Sequence, residues 1–210
     1  MDTATYTAII AIICGYLLGS LPTAYIMGRL RKGVDIRQVG SRNMGAMNVI
    51  YTVGLAEGIS VLVIDAAKGA VAVYLARLLG TPLEIQLAAG VAAVLGHGFP
   101  VFLKFRGGRG GATVVGVLVY LLMPWVLIIG LPLFGIIMLI TRFPTFSYGL
   151  ALLCCPFVAW LIYDSVELAI YSIILIMIPT IKYIPRMKEM RSTGGNWRRV
   201  AFRRSLKDRL

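Results

Sequence analysis

Charged residues are scarce in this 210-residue chain. They make up 14% of the sequence, whereas soluble domains contain about 25%, and hydrophobic residues make up 59%. Only nine residues are acidic, against 21 Lys and Arg, which gives a formal net charge of +12. The composition argues against an ordinary soluble domain and predicts an all-α, polytopic transmembrane helix bundle.

Histidine and cysteine are also rare. His97 is the single histidine, so a Ser-His-Asp triad has only one available base, and neither HExxH nor a Cys/His cluster is present. We therefore expect no metal site and no cofactor. Cys14, Cys154 and Cys155 lie in apolar runs without metal-ligand spacing, so we interpret them as small buried hydrophobic residues.

Long apolar runs are abundant, and a helix that spans a bilayer needs about 20 such residues. The sequence predicts seven spans, at 5–27, 57–79, 85–103, 112–123, 124–141, 146–163 and 166–182. The fourth run is short and meets the fifth at Pro124, so the two form either a tight hairpin or one long broken helix, which would reduce the count to six. We expect a transmembrane domain over residues 1–182 and a basic cytoplasmic tail at 183–210.

The basic residues predict the orientation. With an external N-terminus and seven alternating helices, 19 of the 21 Lys and Arg residues fall on the inner side, and only Lys68 and Arg77 do not. The positive-inside rule therefore favours a cell-membrane protein with its N-terminus outside and its C-terminus inside. The tail is expected to meet anionic lipid headgroups rather than nucleic acid, either as an amphipathic surface helix or as a solvated chain.

A glycine-rich basic loop, KFRGGRGGAT at residues 104–113, lies on the predicted cytoplasmic side. Glycines let backbone N–H groups face an anion, and the predicted helix that follows adds partial positive charge at its N-terminus. Lys104, Arg106 and Arg109 add full charges. The loop therefore predicts a phosphate site, with a flexible basic turn as the alternative, and it lacks the spacing of a P-loop.

A second polar loop, DIRQVGSRNMGAMN at residues 35–48, lies on the same side. Arg37 supplies a fixed charge, and Ser41, Asn43 and Asn48 supply neutral hydrogen-bonding groups. Ordinary turn chemistry is the alternative for this loop alone. Two loops that are each suited to bind phosphate lie on one membrane face, which favours a single binding site formed by both.

Other polar or small residues have structural interpretations. Asp65 and Lys68 are three apart on one helix face, so we expect them to pair within the membrane. His97 could be a base, a phosphate donor or a helix-end residue that bonds backbone, and we favour the structural role. Small-xxx-small spacing predicts close helix packing at two glycine pairs, Gly15 with Gly19 and Gly54 with Gly58.

Five ordered blocks of the first 150 residues resemble a known family, the bacterial integral-membrane acyltransferases that acylate glycerol-3-phosphate with acyl phosphate. The blocks are GSLPTAY, DIRQVGSRNMGAMN, VIDAAKG, GHGFPVFLKFRGGRGGAT and TRFPTF. The resemblance implies acyl transfer to the 1-position hydroxyl, which gives lysophosphatidic acid and phosphate in the first step of phospholipid synthesis. It also implies a seven-span fold, with acyl phosphate and glycerol-3-phosphate as partners.

The resemblance further implies which residues form the site. Ser41, Asn43 and Lys104 would be catalytic, and substrate or phosphate contacts would come from Asn48, Gly107, Gly108, Arg109, Gly110, Thr145 and Ser147. Their own chemistry adds Arg37 as a further phosphate contact and His97 in a supporting role.

The chain departs from the family pattern in several places. The family reads GSGN, then GATN followed by an arginine, where this chain has Arg42, Met47 and Tyr51, and its GGKG is here GGRG. Its last motif, HRxN followed by GxE, is replaced by KYIPRMKEMRSTGGNWRR at 182–199. Two alternatives therefore stay open, a divergent non-catalytic lipid-binding relative and a small anion transporter.

Overall fold

The structure is a computed structural model that describes residues 2–205, and all regular elements in this range are helical, which confirms the all-α class. The bounds are α1 Thr3–Ser20, α2 Thr23–Lys32, α3 Ala46–Thr52, α4 Leu55–Leu78, α5 Leu83–Gly98, a 3-10 helix Val101–Leu103, α6 Gly111–Leu122, α7 Trp125–Thr141, α8 Pro144–Ala151, α9 Cys154–Leu161, α10 Val166–Gly194 and α11 Trp197–Ala201.

Five segments of the described chain are long and apolar enough to cross a membrane. They are Thr3–Lys32, Leu55–Leu78, Leu83–Leu103, Pro144–Leu161 and Val166–Gly194. The shorter apolar helices α6 and α7 have 12 and 17 residues. These seven segments coincide with the seven predicted runs, so the multi-pass architecture is confirmed, while the number of spans and their orientation stay predictions.

Two predicted boundaries can be compared with the helix ends. Pro124 has no N–H to continue a helical ladder, and the chain is interrupted there between α6 and α7, so the two runs do not form one continuous helix. The predicted start of the basic tail after residue 182 lies inside α10, which runs on to Gly194. Of the predicted tail, residues 206–210 lie outside the described range.

The chain divides into two compact units, one up to Leu121 and one from Leu122 onward. In the first unit, α1 packs against α5 through glycines. A Cβ on Gly15 would lie 2.6 Å from the Ala89 carbonyl oxygen, and a Cβ on Gly19 would overlap the Ala93 backbone. The close packing predicted for this glycine pair is therefore confirmed.

The second predicted glycine pair has a divided role. Gly58 of α4 lies directly against Ile50 of α3, so close packing is confirmed at this position. Gly54 instead occupies the N-cap of α4, where a Cβ would meet the carboxylate of Glu57. The two glycines thus fix how the short helix α3 passes into α4.

In the second unit, the C-terminal segment folds onto the α7–α8 connection. Phe143, Met190 and Val200 form a buried cluster with three half-buried neighbours, Phe146, Tyr183 and Met187. The buried Arg203 guanidinium lies 4.0 Å from the centre of the Phe143 ring. The backbone N–H of Arg203 also donates to the Thr141 carbonyl oxygen at 2.9 Å, so the chain is held as far as residue 203.

Gly19→Ala is expected to lower the melting temperature in detergent, because the new methyl group must displace the Ala93 backbone. Over-packing of this kind costs about 1–3 kcal/mol. Gly135→Ala in α7 is the matched control, since a Cβ there meets no atom within 4 Å. Equal melting temperatures for the two variants would contradict the close packing of α1 on α5.

Candidate functional site

The first polar loop is built around the amide of Asn48, a buried residue of α3. Asn48 Oδ1 accepts from the Ser41 N–H at 3.0 Å, and Nδ2 donates to the carbonyl oxygens of Ile36, Val39 and Asn43 at 2.9–3.0 Å. One side chain therefore satisfies four backbone groups of the loop. Both polar atoms of Asn48, a predicted substrate contact, are thus engaged with the protein itself.

Arg37, another predicted substrate contact, forms a two-point ion pair with the buried Asp35. Arg37 Nε donates to Oδ1 at 3.0 Å and Nη2 donates to Oδ2 at 2.7 Å, while the guanidinium also lies 5.0 Å from the centre of the Tyr25 ring. The hydrogen bond from Arg37 lowers the pKa of Asp35, and the same bond raises the pKa of Arg37. The charge of Arg37 is therefore balanced inside the loop.

Ser41 and Arg42 are exposed at the top of this loop, and Asn43 is half-buried. Arg42 adopts a φ of 55°, in the left-handed region that favours glycine. Gly40, with a φ of 59°, approaches Asn48 so closely that a Cβ would overlap Asn48 Oδ1. The Ser41 and Asn43 side chains thus extend from a backbone that is hydrogen-bonded to the Asn48 side chain.

The glycine loop lies against His97 and the first loop. The Gly108 N–H donates to the His97 carbonyl oxygen at 3.0 Å. A Cβ on Gly108 would overlap His97 Nε2 and the Met44 carbonyl oxygen, and a Cβ on Gly107 would overlap the His97 carbonyl oxygen. These predicted glycines are therefore required by close approach, and they bring the two predicted loops into contact.

The basic residues of the glycine loop lie at its surface. Lys104 and Phe105 both adopt positive φ values, 53° and 60°, and the Phe105 N–H donates to the Pro100 carbonyl oxygen at 3.0 Å. Lys104 and Arg106 are exposed, whereas Arg109 is half-buried. The loop ends at Gly110, with a φ of 93°, directly before the first residue of α6, as the sequence predicts.

A buried polar cluster lies beneath the glycine loop. Lys68 Nζ is 2.9 Å from Asp65 Oδ1, which confirms the predicted pair, and it also donates to the Leu21 carbonyl oxygen at 3.1 Å. Asp65 Oδ1 further accepts from the Thr23 hydroxyl, and His97 Nδ1 lies 3.7 Å away. The sequence alone does not pair His97 with Asp65, since only the fold brings VIDAAKG beside GHGFP.

Thr145 and Ser147, the remaining predicted contacts, belong to α8 in the second unit. The buried Ser147 hydroxyl lies 2.9 Å from the Thr141 hydroxyl and donates to the Phe143 carbonyl oxygen at 2.8 Å. Thr145 is half-buried in the first turn of α8. The Ser147 hydroxyl is therefore used to hold the start of its own helix.

Groups that could bind a metal ion do not cluster in the described part of the chain. Over residues 2–205, no three or more His, Cys, Asp or Glu side chains lie close enough together to hold a metal ion. Cys14, Cys154 and Cys155 are free thiols, and of the three only Cys155 is buried. The polar groups available to a ligand here are loop amides, hydroxyls, carboxamides and cations.

Arg42→Gly is expected to raise the melting temperature. A left-handed conformation costs a non-glycine residue roughly 1–2 kcal/mol, and the greater entropy of glycine in the unfolded chain offsets about 0.5–1 kcal/mol of that relief. The control is Gln38→Gly in the same loop, since Gln38 is exposed and lies outside the left-handed region. A lower melting temperature for Arg42→Gly than for the parent protein would count against strain at this position.

Comparisons with known proteins agree with one another. The sequence profile of the glycerol-3-phosphate acyltransferase family matches residues 9–193. Glycerol-3-phosphate acyltransferase 2 of Dehalococcoides mccartyi is 50% identical over 204 residues, which cover 96% of this chain and 97% of the relative. The glycerol-3-phosphate acyltransferase of Endomicrobium trichonymphae is 34% identical over 192 residues, 91% of this chain and 96% of that protein.

The fold has solved counterparts as well. A crystal structure of an integral membrane glycerol 3-phosphate acyltransferase in its glycerol 3-phosphate form gives a TM-score of 0.80 at 29% identity, covering 89% of this chain and 92% of that one. The lysophosphatidic acid form gives 0.77 at 27% identity with the same coverage. Family profile, relatives and fold all match over most of the chain, which therefore belongs to the glycerol-3-phosphate acyltransferase family.

Proposed function

We propose that this protein transfers an acyl group from an acyl phosphate to the 1-position hydroxyl of glycerol-3-phosphate, giving lysophosphatidic acid and phosphate. The observation that carries the proposal is the contact between the two polar loops, where Gly108 lies against the Met44 carbonyl oxygen. The family membership supports the same reaction. The solved relatives, described as glycerol 3-phosphate and lysophosphatidic acid forms, support the acceptor and the product.

The glycine loop is assigned to the phosphate of glycerol-3-phosphate. The first amides of α6, from Gly111 onward, have no acceptor within their own helix, and a helix N-terminus carries partial positive charge. Gly107, Gly108 and Gly110 let the loop that precedes these amides pack closely against His97, Met44 and Val94. The exposed Lys104 and Arg106 add full charges to the same loop, which favours a doubly charged phosphate.

The first loop is assigned to the reacting groups, through the Ser41 hydroxyl and the Asn43 carboxamide. The glycerol oxygen attacks the acyl carbonyl carbon and forms the ester bond, and the bond from that carbon to the phosphate oxygen breaks. The hydroxyl proton goes to the departing phosphate, so no base from the protein is required. The loops contribute alignment of two anions and hydrogen bonds to the charge that develops on the carbonyl oxygen.

The other predicted site residues act as positioning residues in this proposal. Asn48 and Arg37 shape the first loop, because their polar groups are engaged within it. His97 holds the glycine loop through its carbonyl oxygen. Ser147, whose hydroxyl bonds within the second unit, and its neighbour Thr145 are assigned supporting roles.

Purified protein in detergent, given palmitoyl phosphate and glycerol-3-phosphate without metal or coenzyme A, is expected to form lysophosphatidic acid and phosphate in equal amounts. Ser41→Ala and Lys104→Ala are each expected to lower kcat/KM about 10- to 150-fold, because a hydrogen bond to a charged group contributes about 1.5–3 kcal/mol. Released phosphate and lysophosphatidic acid, measured together, give the rates.

Ser60→Ala and Arg77→Ala are the matched controls. The Ser60 hydroxyl bonds the Ala56 carbonyl oxygen in its own helix, and Arg77 is exposed near the far end of α4. Both variants should keep the parent rate. No product from protein that melts cooperatively would reject acyl transfer and favour the non-catalytic, lipid-binding alternative, whereas turnover only with acyl-coenzyme A would reject the acyl-phosphate donor.

We also propose that both loops face the cytoplasm, with the N-terminus outside and the C-terminus inside. The support is the distribution of charge, since Lys104, Arg106 and Arg109 belong to one loop and Arg37 and Arg42 to the other. The connection between α4 and α5, by contrast, is followed by Glu84 and carries no basic residue after Arg77.

Single-cysteine variants in a background without Cys14, Cys154 and Cys155 test this orientation in intact cells. An impermeant maleimide is expected to label Glu84→Cys directly and Gln38→Cys only after permeabilisation, since both positions are exposed. Labelling of Gln38→Cys in intact cells would place the loops outside and overturn the assignment. Labelling of neither variant after permeabilisation would show that these positions are shielded, contrary to their exposure in the structure.

A further inference from the structure

The exposed face of α10 changes from apolar to cationic side chains along the helix. Met177, Ile181 and Ile184 are 52%, 57% and 43% exposed, and their spacing of four and three residues places them on one face of the helix. The same spacing continues to Lys188 and Arg191, which are also exposed. One stripe therefore passes from apolar to cationic side chains.

This change falls where α10 leaves the hydrocarbon of a bilayer. The helix begins at Val166, and about 20 residues span the apolar core, so the hydrocarbon ends close to Ile184. With a rise of about 1.5 Å per residue, Lys188 lies about 6 Å beyond that level and Arg191 about 10 Å beyond it. Lipid phosphates occupy this layer, which is about 5–8 Å thick on each side.

A groove of about 750 Å³ opens at the same position. Its lining combines apolar and cationic side chains, namely Ile184, Met187, Lys188, Arg191, Ser192 and Trp197. The Arg191 guanidinium lies 5.0 Å from the centre of the Trp197 ring, and tryptophan is typical of the membrane–water interface. The groove is thus apolar toward the membrane and basic toward the water.

Among residues 2–205, the two cations of the groove have no acidic partner. The nearest acidic residue in sequence, Glu189, pairs with Arg186 at 2.7 Å. In the part of the chain that the structure describes, no carboxylate forms an ion pair with Lys188 or Arg191. Their charge is therefore available to an anion.

We propose that this groove binds one anionic phospholipid, with its phosphate between Lys188 and Arg191 and an acyl chain along Ile184, Ile181 and Met177. A free phosphate ion would leave the apolar part of the groove empty. A zwitterionic lipid would bring its ammonium group next to two cations, whereas an anionic lipid gains attraction from each of them. The proposal goes beyond acyl transfer, since none of the groove residues belongs to the two loops assigned to that reaction.

Fluorescence quenching of Trp197 tests the proposal on the full chain in nanodiscs. Trp125→Phe and Trp160→Phe leave Trp197 as the only tryptophan. Phosphatidylglycerol with brominated acyl chains is expected to quench Trp197 more strongly than brominated phosphatidylcholine at the same mole fraction. Lys188→Gln and Arg191→Gln should each reduce this preference about fivefold, since a basic residue at the surface contributes about 1 kcal/mol of attraction to anionic lipid.

Arg198→Gln is the matched control, because Arg198 is an exposed cation of α11 that does not line the groove. It should keep the preference for phosphatidylglycerol. Equal quenching by the two lipids would overturn the proposal, as would an equal loss in Arg198→Gln, which would indicate attraction to the tail as a whole. Lys188→Gln is the more direct variant, since Arg191→Gln also removes the cation beside the indole. Quenching does not depend on turnover, so this result stands apart from the acyl-transfer assay.

Discussion

The first unit is organised around one buried negative charge. The Asp65 carboxylate lies midway along α4, where an unbalanced charge costs several kcal/mol. Lys68 on the same helix balances the charge, the Thr23 hydroxyl of α2 donates a hydrogen bond to it, and His97 Nδ1 of α5 lies 3.7 Å away. Because these partners come from three helices, a shift of any one of them would leave the carboxylate with fewer partners in an apolar surrounding. The charge therefore fixes the relative positions of α2, α4 and α5.

The position of the two polar loops follows from this cluster. The His97 side chain lies against Asp65 and the His97 carbonyl oxygen accepts from the Gly108 N–H, so the glycine loop is held by a residue of the buried cluster. Gly108 in turn lies against Met44, next to the predicted catalytic Asn43. A reaction that relies on alignment of two anions rather than on a protein base needs such a rigid support. Glycine at position 108 is what allows the support and the loop to approach this closely.

The sequence predicts the helical segments, the Asp65–Lys68 pair and a helix directly after the glycine loop, because hydrophobic runs and helix spacing are local signals. It does not predict α3, since seven residues are too few to show a helical period. Nor does it reveal whether the polar groups of Asn48 and Arg37 bind a ligand or the protein. A side chain's donors and acceptors are evident from its identity, but their partners are set by the fold, and here those partners are loop carbonyls and Asp35.

The end of α10 shows why a change in composition is a poor guide to the end of a helix. Hydrophobicity falls near residue 182 because the chain leaves the bilayer, yet Lys, Arg, Met and Glu are all strong helix formers, so the helix continues to Gly194. From the end of the hydrocarbon layer onward, Tyr183, Met187 and Met190 still form an apolar stripe along the helix. Val200 of α11 and Phe143 cover this stripe. The start of the basic tail is therefore folded, because α11 and Phe143 cover the apolar face that α10 carries past the bilayer.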